Sequence, residues 1–300
     1  MSGVRYIETS CKTAANRVHG GMPFSWSLNP YRGCRHRCSY CYARASHTYL
    51  GHDAGRDFDE IIYVKTNVAE VLRAELRRPG WAGEAIAVGT ATDPYQPAEG
   101  RYRLTRACIE VFARAANPFS LITRGPLIVR DVDVLAEAAN RAEVSVTFSV
   151  PTLDEQVWRT TEPGTAPPRQ RLRALKTLVD AGIAASVGMA PILPGLSDRP
   201  ELLADVVRAA REAGATGIWA NLLYLRPGTR EHFLECLARD WPDQLDRYER
   251  LYAGSAYLPA EETKPVRALV SDLRREHDVG DRRRVRLAPP PEPEQLTLAV

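Results

Sequence analysis

The strongest constraint on the fold is a regular alternation of short apolar runs with amphipathic ones. The apolar runs fall at residues 85–90 (AIAVGT), 119–123 (FSLIT), 144–150 (VSVTFSV), 183–189 (IAASVGM) and 217–225 (GIWANLLYL), with a weaker one at 24–28. They are near-continuously apolar rather than alternating, which suits strands buried on both faces. Segments with helical spacing lie between them at 67–78, 104–116, 132–141, 168–181 and 202–213. Gly182 and Gly214 stand where a glycine closes a helix, and Asp131 where a cap would open one. Strands alternating with helices of this length predict parallel βαβ units. Six such units predict an α/β fold with a partial barrel over residues 24–227, its chemistry at the C-terminal ends of the strands.

The flanks read differently. Residues 1–23 look irregular. Beyond Pro227 the pattern is helical, at 229–239, 242–252 and 259–277, which predicts a helical C-terminal extension over 228–279. Residues 280–300 (GDRRRVRLAPPPEPEQLTLAV) are rich in charge and proline and predict a disordered tail. A chain of 300 residues buries roughly three quarters of its unfolded surface and needs no staples. The net charge of +3 is too small to mark a nucleic-acid binder by itself. No run of about 18 apolar residues is present, so no membrane span is expected. The N-terminal MSGVRYIETSCKT lacks the apolar core of a secretory signal, so the cytoplasm is the expected compartment.

Three of the six cysteines crowd into NPYRGCRHRCSYCYAR, residues 29–44, as Cys34, Cys38 and Cys41. In a long chain of this kind, such clustering points to metal rather than to disulfides. A [4Fe-4S] cube has four iron corners, and three thiolates on one loop leave the fourth iron open to a further ligand. A structural zinc site would want a fourth protein ligand. His36 sits between two of the cysteines, where ligation would strain the loop. Cys11, Cys108 and Cys236 are scattered and offer no second cluster. Cys108 shares a helix face with Leu104, Val111 and Phe112 and reads as a core thiol.

The spacing C-x3-C-x-aromatic-C, with Tyr40 as the aromatic, resembles the hallmark of the radical SAM superfamily. The wider string N-P-Y-x-G-C-x-x-x-C-x-Y-C-Y resembles its spore photoproduct lyase-like branch, over about residues 16–254. The resemblance implies a [4Fe-4S] cluster on Cys34, Cys38 and Cys41. Its open iron would chelate the amino and carboxylate groups of S-adenosyl-L-methionine. Reductive cleavage would then yield a 5′-deoxyadenosyl radical that abstracts hydrogen from a substrate. It implies Tyr40 near the adenine. Thr90, Thr92 and Asp93 are candidate acceptors for the cofactor's amino group, although the usual glycine-glycine-glutamate pattern is absent there. Thr123 and Arg124 end the third strand, Ser149 is a candidate for the ribose hydroxyls, and Arg171 for the carboxylate. Residues 189–198 would pack against the adenine. Arg32, Arg35, His36, Arg37 and Arg44 surround the cluster loop, and would either raise the cluster's potential or stay solvated and dock a flavodoxin- or ferredoxin-like electron donor.

The leading functional expectation is a lyase-like radical SAM enzyme acting on damaged DNA, which the arginine-rich loop favours. The alternatives are a radical SAM enzyme for a peptide or small metabolite, and a non-enzymatic iron–sulfur or zinc module. The segment Gln295 to Val300 (QLTLAV) resembles the short peptide by which bacterial repair and replication proteins dock on the sliding clamp.

Overall fold

The computed structural model describes residues 3–19, 24–285 and 287. Its strands are β1 (Arg5–Thr9), β2 (Ala15–Arg17), β3 (Trp26–Leu28), β4 (Tyr31–Arg32), β5 (Ile61–Lys65), β6 (Ile86–Val88), β7 (Phe119–Thr123), β8 (Val144–Ser149), β9 (Ala185–Ile192) and β10 (Ile218–Leu222). Its α-helices are α1 (Arg56–Glu60), α2 (Val68–Leu76), α3 (Pro97–Tyr102), α4 (Leu104–Ala115), α5 (Val132–Ala139), α6 (Glu155–Thr161), α7 (Pro168–Asp180), α8 (Pro200–Glu212), α9 (Thr229–Asp240), α10 (Leu245–Leu251) and α11 (Ala260–Glu276).

The main sheet has the order β10-β9-β8-β7-β6-β3-β2. Its six strands from β3 to β10 pair in parallel, and β2 adds an antiparallel edge. These six are the six strands expected from the apolar runs. They form an open partial barrel; among the described residues β10 and β2 stay unpaired with each other. All six residues of β8 are buried, which is why that run lacks alternation. Helix α4 buries Leu104, Cys108, Ile109, Val111 and Phe112, and Phe112 stacks on Phe119 of β7 at 4.8 Å. Cys108 is therefore a core thiol, as its helical spacing implied. Each such large apolar side chain contributes about 1.5–3 kcal/mol by leaving water.

Several expectations are corrected. Residues 1–23, read as irregular, hold β1 and β2. Strand β1 pairs in parallel with β5, and β4 pairs antiparallel with β5, making a second, three-stranded sheet. Local periodicity hides it, because each strand is short and β5 sits inside the β3–β6 crossover. Asp131 stands at the N-cap of α5, as expected, but its side chain makes no cap hydrogen bond. It is fully buried and holds Arg130 at 2.8 Å and Arg106 at 3.1 Å instead. Residues 280–285, assigned to a disordered tail, lie along the edge of β10. Ile218 N donates to the Gly280 carbonyl at 2.9 Å, and Asp281 bridges Ile218. Gln295 to Val300 fall outside the described residues. No helix among the described residues is long and apolar enough to cross a membrane.

Candidate active site

The loop that follows β4 carries Cys34, Cys38 and Cys41, and it is held from several sides. At its start Gly33 adopts φ +79°, and a Cβ there would lie 2.5 Å from the Ile61 carbonyl oxygen. Only glycine fits this turn. The freed backbone is then gripped. Thr92 Oγ1 and Gln96 Nε2 donate to the Gly33 carbonyl at 2.7 and 2.9 Å, and Gln96 Oε1 accepts from Arg35 N at 3.1 Å. Cys34 N donates to the Phe58 carbonyl at 3.0 Å. On the far side, Ser39 N donates to Thr161 O at 2.9 Å, and Gly164 N donates to His36 O at 3.0 Å. A Cβ on Gly164 would lie 2.8 Å from that same oxygen, so the 162–165 turn can approach only without a side chain.

Beneath the loop lies Arg44, with no exposed surface. Its Nε donates to Cys38 O at 2.9 Å. Its Nη1 donates to Ala54 O and Gly55 O at 3.1 and 2.8 Å, and its Nη2 pairs with Asp59 at 2.9 Å. Asp59 also faces Arg37 at 3.8 Å, and its backbone oxygen accepts from Arg35 at 3.1 Å. These cations are thus partly neutralised and tied to structure.

Cys34 and Cys38 are buried, Cys41 is half-buried, and all three are free thiols. Burial pushes the Cys38 thiol up to about 12, against the pull of Arg124. Burial raises Cys34 and Cys41 too, and Cys34 is raised further by Asp93, Cys38 and Cys41. Burial dominates at all three, and Cys41 packs half-buried beside Cys34 and Phe58. Arg124 is the cation they share, acting on both Cys38 and Cys41. Its guanidinium lies 5.8 Å from the Tyr40 ring centre. Its own bonds are long, 3.4 Å to Glu162 Oε1 and 3.4 Å to Ala190 O.

The strand ends converge on this loop. Asp93, after β6, accepts from Tyr95 N at 2.8 Å, Thr123 Oγ1 at 2.7 Å and Arg124 N at 2.6 Å, and lies 3.1 Å from His36 Nδ1. Burial would raise its carboxyl, but His36, Thr123 and Arg124 outweigh burial and hold it at about 2. Asp93 thereby ties the cysteine loop to the ends of β6 and β7. Ser149, at the end of β8, donates to Ala190 O at 3.0 Å. Thr90 accepts from Asn29 Nδ2 at 3.1 Å, and its carbonyl accepts from the Tyr42 hydroxyl. Tyr40 is buried, and its hydroxyl donates to Glu162 Oε1.

Arg171 is engaged by protein groups. It is fully buried on α7 and makes four protein hydrogen bonds, to Ala166 O, Ser149 O, Glu162 Oε2 and Thr165 Oγ1. Its fork is turned to Glu162, Thr165 and backbone carbonyls. Glu162 is the hub: burial would raise its carboxyl, but Arg171 and Arg124 outweigh this and hold it at about 2.

The sequence pattern of the radical SAM superfamily matches residues 28–207, well over half of the chain. The chain belongs to the radical SAM superfamily. An uncharacterized protein of Mycobacterium tuberculosis is 42% identical over 303 residues, spanning 100% of this chain and 88% of its own. An uncharacterized protein of Methanocaldococcus jannaschii is 26% identical over 234 residues, spanning 77% of this chain and 82% of its own. Among solved structures, a spore photoproduct lyase variant with bound AdoMet and dinucleoside spore photoproduct superposes with a TM-score of 0.71 at 17% identity. That match covers 92% of this chain and 80% of the lyase. At that identity the likeness is one of fold.

For a radical SAM protein, the family implies an iron–sulfur cluster and S-adenosylmethionine. Sequence reading missed Gln96, Glu162 and the buried placement of Arg44. Glu162 and Gln96 sit in turn-like segments whose composition reads as a loop. The glycine at 164, two residues after Glu162, was the available hint of close approach.

Proposed function

We propose that Cys34, Cys38 and Cys41 hold a [4Fe-4S] cluster and that the protein is a radical SAM enzyme. One observation carries the reading: two buried thiols and a half-buried one lie within eight residues on one clamped loop that meets the C-terminal ends of the parallel strands. That donor set suits a cluster with one iron left open. When bound, the cluster supplies the electron that cleaves S-adenosylmethionine to a 5′-deoxyadenosyl radical, which abstracts hydrogen from the substrate. The chain's residues orient and shield that chemistry. The thiols give up their protons on loading, because only thiolates ligate iron. Arg124, weakly engaged by protein, offers positive charge beside the thiolates, and Ser149 keeps acceptor capacity at the end of β8. Asp93, Glu162, Arg171 and Arg44 fix the loop. Tyr40, Thr90 and Thr123 line the same mouth and complete the proposed cofactor contacts. A flavodoxin- or ferredoxin-like protein would supply electrons.

For the substrate, the proposal is a DNA lesion, processed as by a photoproduct lyase. What supports it is the fold shared with a lyase whose structure holds a dinucleoside photoproduct. A lesion inside a duplex would have to be flipped into the strand mouth. On the same reading, 24–227 is the catalytic unit, 228–279 a helical extension, and the cytoplasm, which keeps thiols reduced, the working compartment. Gln295 to Val300 would dock on the sliding clamp. A peptide of residues 289–300 should then bind purified clamp.

Anaerobic reconstitution tests the enzyme reading. About four irons per chain and dithionite-dependent cleavage of S-adenosylmethionine are expected. Absence of either refutes it. UV-irradiated DNA tests the substrate: repaired product supports the lesion, and cofactor cleavage alone refutes it.

A further inference from the structure

A row of tyrosine rings leads outward from the cluster loop. Tyr42 follows Cys41; its hydroxyl donates to the Thr90 carbonyl, and the residue is 48% exposed. Its ring centre lies 5.8 Å from that of Tyr224, with 30° between the planes. Tyr224 in turn stacks with Tyr257 at 5.6 Å and 18°. The second pair is set by backbone: Tyr224 and Tyr257 face each other across an antiparallel bridge, and Leu225 N donates to Ala256 O at 2.8 Å. Tyr257 is 55% exposed.

Beside these two rings a cleft of about 260 Å³ opens between the end of β10 and α11. Leu222, Leu223 and Leu258 give it an apolar floor, and Asn221 and Arg267 give it a polar wall. Arg267 Nη2 donates to Asn221 Oδ1 at 3.0 Å. Arg226 lies 6.0 Å from the Tyr224 ring centre and donates to the Tyr257 hydroxyl at 3.2 Å. Both arginines thus have neutral partners, an amide oxygen and a phenol, and keep their charge for something else. A flat aromatic wall, an apolar floor and two such cations match a ligand that combines a planar ring with an anionic group. A nucleotide is that ligand: base stacking on aromatic side chains supplies sequence-tolerant affinity, and arginine takes the phosphate.

We propose that this cleft is a nucleotide-binding subsite, with a base stacked on the outer face of Tyr257, whose other face is taken by Tyr224, and its phosphate held by Arg267, with Arg226 beside the Tyr257 hydroxyl. As a substrate contact of the radical site it rests on the function proposed above; as a binding site it does not. The nucleotide is either free or one unit of a strand, and the test separates the two.

The experiment is equilibrium binding to the anaerobically reconstituted protein, with fluorescein-labelled single-stranded oligothymidylate in one arm and AMP in the other. Saturable binding is expected. Tyr257→Ala should weaken it by about 5- to 150-fold, the effect of losing one stacked base. Tyr257→Phe, which keeps the ring, should retain it. Arg267→Gln should lower the slope of log affinity against log salt by about 0.7 for the strand, one phosphate contact. Tight strand binding with weak AMP binding assigns the cleft to a polynucleotide; comparable binding of both assigns it to a free nucleotide. Cleavage of S-adenosylmethionine without substrate should be unchanged in all three variants, which keeps this test separate from that of the radical reaction. No saturation by either probe at millimolar concentration, or wild-type affinity in both Tyr257→Ala and Arg267→Gln, overturns the proposal.

Discussion

Replacing Glu162 with glutamine tests the charge hub that locks the cluster loop to the far strand ends. The carboxylate accepts from Tyr40, Arg171 and Thr165 and faces Arg124 at 3.4 Å. Against the effect of burial, Arg171 and Arg124 hold its carboxyl at about 2, below the 4.5 of an unperturbed glutamate, so the site prefers the charged form. The difference of roughly 2.5 units corresponds to about 3 kcal/mol at ~1.4 kcal/mol per unit. Glu162→Gln keeps the shape but removes the charge, leaving Arg171, which has no exposed surface, without its anion. Breaking a buried pair from one side costs 3–5 kcal/mol in comparable systems. We expect the apo-protein to lose about 3 kcal/mol at pH 7 by urea unfolding. With ~2.1 cal/mol/K of unfolding entropy per residue, that is a fall of about 5 °C in Tm. The pH profile carries the sign. A depressed carboxylate contributes stability that is complete above its unfolded value of about 4.5 and is lost as pH falls through about 2. Wild-type stability should therefore drop between about pH 4.5 and 2, with Asp93 adding to the same fall. The variant should show a shallower drop. A loss below about 1 kcal/mol, or an acid limb identical to wild type, refutes the reasoning.

Three further outcomes are expected. Cys34→Ala, Cys38→Ala and Cys41→Ala should each abolish retention of iron and sulfide after anaerobic reconstitution, whereas Cys108→Ala, at a core position, should leave the iron content unchanged and lower only stability. Gly33→Ala should destabilise by ~2 kcal/mol or more in urea unfolding, from left-handed backbone strain added to the 2.5 Å approach to Ile61 O. Gln96→Leu removes one donor to the Gly33 carbonyl and the acceptor of Arg35 N, and should cost about 1–3 kcal/mol by the same measurement with a parallel fall in iron content.

The six parallel strands and the cysteine triad were legible because each is encoded locally. A buried strand announces itself by a continuous apolar run, as 119–123 does for β7, and the cysteine loop by its spacing within eight residues. The candidates at strand ends were legible as positions but not as roles. Asp93, Thr123 and Ser149 all reach the mouth, yet each is bonded to protein there. Arg171 and Arg124 illustrate the limit. Both are arginines near strand ends. One is turned inward to Glu162 and backbone carbonyls, and the other is left loosely engaged beside the thiols.

Sequence alone thus determined the alternating α/β order and the open barrel. Tertiary structure alone decided who holds the loop: Glu162 meets Tyr40 across 122 residues, Gln96 meets Gly33 across 63, and β1 meets β5 to build an unannounced second sheet. The reason is physical. Periodicity and spacing record interactions within one turn or one strand. The partner of a buried charge is chosen by how the closed chain packs, and no local pattern carries that choice.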